Sequence, residues 1–186
     1  RPAGVPVIRL FAAVPIPIEI REALSRRREG VPGARWRPPE SLHLTLRFAG
    51  EVAETMADDW DAGLAALRGV AFDLRLAGAG AFNEGREIAA LWAGVEDSPA
   101  LRRLSRGCET AARRAGLPPD KRVWKPHVTL AYLKRADPAR VAAWIQGHNL
   151  LRSPRFPVNS FGLYSSRLGT RGSSYRLERS YPLTVT

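Results

Sequence analysis

The sequence predicts an α+β fold of two pseudo-symmetric lobes whose antiparallel sheets face a central groove. Three observations carry this prediction. Segments of alternating apolar and polar residues are interleaved with segments at helical spacing. The order of these segments is similar in the two half-chains. Each half also holds one copy of a four-residue pattern, His43-Leu44-Thr45-Leu46 in the first and His127-Val128-Thr129-Leu130 in the second. At 186 residues and 45 % hydrophobic content, the chain is expected to form a single two-lobed domain, residues 1–186, around a real core.

The elements follow in order. Residues 7–14 are β-branched and aromatic and read as a buried strand, stopped by Pro15-Ile16-Pro17. Residues 19–28 carry Ile20 and Leu24 at helical spacing, with Gly30 as terminator. Residues 31–39, rich in turn formers, read as a rigid loop. In residues 42–48, Leu42, Leu44, Leu46 and Phe48 alternate with His43, Thr45 and Arg47, which predicts a strand with a packed face and a polar face. Met56, Trp60, Leu64 and Leu67 mark an amphipathic helix over 51–68. Strands are expected at 72–76 and 88–95, joined by a turn-rich connector at 78–85. Asp97-Ser98-Pro99 is a helix start, with Leu101, Leu104, Cys108 and Ala111 as its buried stripe and Gly116 as its stop. A strand is expected at 123–133. Asp137-Pro138 opens a helix carrying Val141, Trp144 and Ile145. Strands at 156–164 and 174–179, with a glycine-bearing turn at 168–172, complete the chain.

Composition narrows the function. Twenty-nine Lys+Arg against eighteen Asp+Glu give a formal net charge of +11, which points to a polyanionic partner, nucleic acid first. Nearly all of these cations are arginines. That preference alone is also what a GC-rich genome produces, whereas the net excess is harder to attribute to composition. No apolar run approaches eighteen residues, which excludes a transmembrane helix. The start, Arg1-Pro2-Ala3, lacks a Met and reads as trimmed or processed, and Pro6 and Arg9 interrupt any signal-peptide pattern. The single cysteine, Cys108, excludes an intramolecular disulfide and a cysteine metal cluster; it reads as a small structural residue, and the expected compartment is the cytoplasm.

The histidines carry the chemistry. Of three in the chain, two occupy the same tetrad, each with Thr at +2 and aliphatic residues at +1 and +3. Strand periodicity puts each His on the same face as its Thr, opposite the aliphatics. Imidazole titrates near neutrality, so one can act as base while the other acts as acid. In-line hydrolysis of a phosphodiester needs those two groups on opposite sides of phosphorus. The Thr hydroxyls, about 6.5 Å further along each strand, can donate to non-bridging oxygens. Two histidines are too few for a metal site, and neither tetrad has Asp, Glu or Cys at ligand spacing; Glu40 lies in a loop beside Pro39. No Gly-x-Ser-x-Gly, phosphate-binding or dinucleotide-binding glycine motif occurs.

At this point the sequence resembles the 2H phosphoesterase superfamily and, within it, the bacterial and archaeal RNA 2′,3′-cyclic phosphodiesterases, also called 2′-5′ RNA ligases. The segments that carry the resemblance are Arg9-Leu10-Phe11-Ala12-Ala13, Ala34-Arg35-Trp36, Glu40-Ser41-Leu42-His43-Leu44-Thr45-Leu46-Arg47-Phe48, Leu91-Trp92-Ala93-Gly94-Val95, Lys125-Pro126-His127-Val128-Thr129-Leu130-Ala131 and Phe161-Gly162-Leu163-Tyr164-Ser165-Ser166-Arg167-Leu168. The resemblance implies hydrolysis of an RNA 2′,3′-cyclic phosphate to a 2′-phosphomonoester without metal or other cofactor. It assigns His43 as proton donor to the leaving 3′ oxygen, His127 as proton acceptor from water, and Thr45 and Thr129 as phosphate ligands.

Around these four residues the roles stay open. Arg47 is either a phosphate-facing arginine or a solvated or structural one. Tyr164 either stacks a terminal base or packs in the core, and Trp36 is a rim aromatic or a packing residue. His148, at a helix end, reads as a capping or exposed residue. Relatives often carry Arg soon after the second tetrad, where this chain has Ala131-Tyr132-Leu133; Lys134 or Arg135 could supply the charge instead. The expected partner is an RNA or oligonucleotide with a cyclic phosphate end, bound by a monomer away from any membrane. The same site run in reverse would join RNA ends through a 2′-5′ linkage. A non-catalytic RNA-binding module is the reading from a different class, and it gives no reason for two imidazoles.

Overall fold

The computed structural model describes residues 7–170 and 172–186. Residues 1–6, on which the reading of the chain start rests, and Arg171, inside the expected 168–172 turn, lie outside them. The elements run β1 (Val7–Pro15), α1 (Ile18–Ser25), β2 (Arg35–Trp36), a 3₁₀ turn (Pro39–Ser41), β3 (His43–Ala53), α2 (Glu54–Ala65), β4 (Phe72–Leu74), β5 (Leu76–Glu84), β6 (Glu87–Val95), α3 (Pro99–Arg114), β7 (His127–Tyr132), α4 (Pro138–His148), β8 (Phe156–Val158), β9 (Ser160–Gly169) and β10 (Gly172–Pro182). One four-stranded sheet has the order β10-β9-β1-β3 and the other the order β2-β7-β6-β5, while β4 and β8 form a small pair. The named strand pairs are antiparallel. The α+β class and the two antiparallel sheets are as the sequence predicts. In each half, a strand, a helix and a histidine strand follow one another, β1-α1-β3 in the first and β6-α3-β7 in the second.

The helices start where their caps dictate. Ser98 Oγ accepts from the Leu101 N–H and Asp137 from the Ala139 N–H, each with proline at the first helical position. The helix α3 buries Leu101, Leu104, Cys108 and Ala111, and Trp60 of α2 donates to the Cys108 carbonyl oxygen at 3.3 Å. Burial pushes the Cys108 thiol up to about 12, which makes it inert packing. A single hydrophobic cluster includes residues of both four-stranded sheets and all four helices. No helix among the described residues is long and apolar enough to cross a membrane.

Several boundaries differ from the sequence reading, for physical reasons. Residues 78–85 are largely strand, not connector. Gly78 has φ +77° beside a register shift, and a Cβ on Gly80 would come within 2.3 Å of the Trp92 ring. These glycines accommodate a bulge and a cross-strand tryptophan rather than a turn. Residues 51–53 stay in β3 because Val7 and Arg9 pair with Ala53 and Glu51, which delays the start of α2. Strand β7 begins only after Pro126, whose nitrogen has no hydrogen to donate. The expected 156–164 strand breaks at Asn159, with β8 pairing to β4 and β9 to β1.

The deviation with most consequence is a pair of bulges. On β3, Thr45 pairs with Ala13 but Arg47 with Ala12, so Leu46 is the extra residue. On β7, Thr129 pairs with Trp92 but Ala131 with Leu91, so Leu130 is the extra residue. A one-residue slip exchanges the faces of everything beyond it. His43, Thr45 and Phe48 therefore share the face of Phe11 and Ala13, while Arg47 turns to the opposite face with Ala12. This overturns two expectations. Phe48 is 40 % exposed rather than packed, and Arg47 is only 8 % exposed. The Arg47 guanidinium is bonded to Glu109 of α3, to the Phe48 carbonyl and to the Pro118 carbonyl at 2.6 Å. Arg47 fastens α3 to β3, one turn from Ser105, whose hydroxyl donates to the Leu46 carbonyl at the bulge. Replacing Arg47 by Met is expected to cost about 2–4 kcal/mol by leaving these acceptors unpaired. A urea titration checks the loss of stability, with KM of the folded variant unchanged.

Candidate active site

Both tetrads open on the space between the sheets. A cavity of about 70 Å³ is lined by His43, Thr45, His127, Thr129, Ser41, Arg37, Tyr132 and Tyr175. This is room for a phosphate-sized group, since one water takes roughly 30 Å³ in the liquid. A second cavity of about 160 Å³ shares His43 and Tyr175 and is lined further by Arg21, Glu40, Leu42 and Tyr164. The structure thus gathers all four tetrad residues at one site. Among the described residues, no group of three or more His, Cys, Asp or Glu side chains could hold a metal ion.

The two histidines stand in different surroundings. His43 sits among aromatic rings, with centroids 5.0 Å from Phe11, 5.3 Å from Tyr164 and 4.8 Å from Tyr175. Its Nε2 is buried and bonds to no protein atom. His127 meets the edge of Phe82 at 4.6 Å, and its Nδ1 lies 2.7 Å from the Lys125 carbonyl oxygen. That carbonyl accepts only, so Nδ1 carries the hydrogen and Nε2 keeps its lone pair.

Tyr164 is partly buried and stacks on Phe11 at 5.4 Å, so it packs beside His43 while still lining the second cavity. Trp36 packs against the core with its ring 6.0 Å from Trp144. His148, the last residue of α4, stacks on Trp144 and contacts its carbonyl oxygen. Lys134 and Arg135 are exposed and do not line the cavity. Arg47 is absent from it as well, and the arginine that does line it is Arg37. Its backbone N–H donates to the Leu130 carbonyl at 2.9 Å, directly after the short β2–β7 pairing of Arg35 with Tyr132 and Trp36 with Ala131. Arg37, Ser41 and Tyr175 are the lining residues that the sequence reading missed. Arg37 lies among turn formers with no periodic signal, and Tyr175 is one unremarked position in an alternating strand.

A match to the 2′-5′ RNA ligase superfamily spans residues 16–170. The chain belongs to this superfamily. Relatives named RNA 2′,3′-cyclic phosphodiesterase include those of Archaeoglobus fulgidus, 30 % identical over 91 % of this chain and 97 % of the relative, and of Escherichia coli, 31 % identical over 95 % and 97 %. The crystal structure of E. coli LigT complexed with 3′-AMP superposes with TM-score 0.79 and 26 % identity, covering 96 % of this chain and 99 % of that one. TT0787 of Thermus thermophilus superposes with TM-score 0.77 and 29 % identity. A superfamily fold is therefore what brings the paired tetrads together here.

Electrostatics at the site oppose protonation of both imidazoles. Burial first, then the Arg37 and Arg21 charges, push His43 down to about 4. Burial also lowers His127, partly offset by its bond to the Lys125 carbonyl, with the Lys125 charge acting in the same direction as burial. A titration of the imidazole resonances of the free protein is expected to find His43 half-protonated near pH 4 and His127 below the usual value of about 6.5. The unfolded chain takes up these protons first. Folding stability therefore falls as pH drops from about 6.5 toward 4, and urea midpoints are expected to show a shallower fall in His43→Gln.

Proposed function

We propose that the chain is an RNA 2′,3′-cyclic phosphodiesterase in which His43 and His127 act as acid and base across the cyclic phosphate. The observation that carries this reading is the convergence of both His-x-Thr pairs on one phosphate-sized cavity. His127 Nε2 takes a proton from water as the water oxygen attacks phosphorus. The P–O3′ bond breaks, and His43 gives its proton to the departing 3′ oxygen, leaving a 2′-phosphomonoester. Thr45 and Thr129 donate to the non-bridging oxygens, where charge builds. The tautomer of His127 suits a base, and the unpartnered Nε2 of His43 suits a group whose partner arrives with the substrate. The substrate also supplies the charge that His43 lacks, because a phosphate anion beside the imidazole favours its protonated form.

Excess positive charge draws in the RNA end. The same site in reverse forms a 2′-5′ linkage, the reaction for which the superfamily is named, with the histidines exchanging roles. We further propose a cytoplasmic monomer as the active form, the compartment being the one in which a lone buried thiol such as Cys108 is ordinary.

His43→Ala and His127→Ala are each expected to lower kcat on a 2′,3′-cyclic nucleotide by about 10²–10⁴-fold in EDTA, and Thr45→Val or Thr129→Val to raise KM about 10-fold. Turnover that survives both histidine changes contradicts the mechanism, as does loss of wild-type activity in EDTA. The limb that reports His43 is expected at higher pH in kcat than in kcat/KM, because bound phosphate raises His43.

A further inference from the structure

We propose that Arg37 is the fixed cation that grips the non-bridging phosphate oxygens, and that Tyr132 and Tyr175 are positioning residues that hold its guanidinium over the cavity. This rests on the phosphodiesterase reading above and adds the group that neutralises the bound anion. A phosphodiester brings a full negative charge into a site whose histidines are both biased toward neutrality. Of the described residues lining the cavity, Arg37 alone is permanently charged.

Its place is set at both ends of the residue. The backbone is tied to the Leu130 carbonyl, at the bulged residue that follows Thr129. The guanidinium carbon lies 5.1 Å from the centre of the Tyr132 ring and 5.2 Å from that of Tyr175, within cation–π range of both. One terminal nitrogen donates to the Tyr175 hydroxyl. A guanidinium has five N–H donors, and no other side-chain bond of Arg37 is formed among the described residues. Free donors in a planar fork, beside two Thr hydroxyls, suit a tetrahedral oxyanion.

The bulge at Leu130 explains the tyrosine. It turns position 132 into the groove, onto the face of His127 and Thr129, on the strand beside β2 and within reach of the same space as Arg37. A second cation there would face Arg37, whereas a tyrosine offers the negative face of a ring. The two positions are therefore alternative origins for one guanidinium, and an arginine at 132 can take over when Arg37 is removed.

The test compares Arg37→Gln, Arg37→Lys and the double variant Arg37→Gln/Tyr132→Arg with the wild type. It reads KM for a 2′,3′-cyclic nucleotide, the pH profile, and binding of inorganic phosphate followed directly by ³¹P NMR. Arg37→Gln is expected to weaken phosphate binding and raise KM about 10–100-fold, the range for a charge-assisted bidentate contact. The described titratable and charged groups that share a cavity with His43 are Arg37, Arg21, Glu40, His127, Tyr132, Tyr164 and Tyr175. Loss of the Arg37 charge is therefore expected to move the limb of kcat/KM that reports His43 to higher pH, together with the loss of phosphate affinity. Arg37→Lys keeps the limb in place but binds phosphate more weakly, and the double variant recovers most of the lost affinity.

A folded Arg37→Gln with unchanged KM, phosphate binding and limb overturns the proposal. If Arg37→Gln does not fold, unchanged phosphate binding by Arg37→Lys overturns it instead. A wild type that binds phosphate through Arg37 yet does not open the cyclic ester contradicts the functional reading and leaves the clamp standing.

Discussion

Two β-bulges, at Leu46 and Leu130, set the arrangement on which the rest of the site depends. A regular strand keeps every second residue on one face, so His-x-Thr would be followed on that face by position +4. The bulge instead sends +4 into the packed side and returns +5 to the groove. Arg47 and Ala131 are the +4 residues. Arg47 is anchored to Glu109, and Ala131 is fully buried. Phe48 and Tyr132 are the +5 residues, at 40 % and 42 % exposure. The same irregularity thus recurs in both histidine strands, and on β7 it brings Tyr132 to the cavity next to the Leu130 carbonyl that accepts from the Arg37 backbone.

Placing a histidine among three aromatic rings and near two arginines costs it its easy protonation. That cost has a use in a phosphate site. On the proposed mechanism the imidazole gains its proton when the phosphate anion arrives, which couples acid strength to substrate binding. His127, with a carbonyl fixing its tautomer, is the less perturbed of the two.

Much of this was legible in the chain itself. Repetition of His-x-Thr identified the four central residues, because strand periodicity holds for three residues whatever follows. The caps at Ser98 and Asp137 located their helices, since an N-cap side chain bonds its own turn. What failed was longer-range extrapolation. Alternation carried across Leu46 misplaces Arg47 and Phe48, because a bulge is a property of the pairing and leaves little trace in one strand. A trace did exist in the second copy, where Leu130 and Ala131 are consecutive and both buried. In the first copy the charged Arg47 hid it. Gly78 and Gly80 looked like turn residues, yet one serves a bulge and the other makes room for Trp92. Arg37 carried no local signal, because a tertiary pairing of only two residues brings it to the site.

On the proposed mechanism the two tetrads address opposite sides of one phosphorus, with His43 on the side of the departing 3′ oxygen. The position of the phosphate in the product reports this most directly. The chain is incubated in EDTA with an oligonucleotide ending in a 2′,3′-cyclic phosphate, and the product is assigned by ³¹P NMR. The account predicts a 2′-phosphomonoester as the single product. A 3′-phosphomonoester, or a mixture of the two, would contradict it.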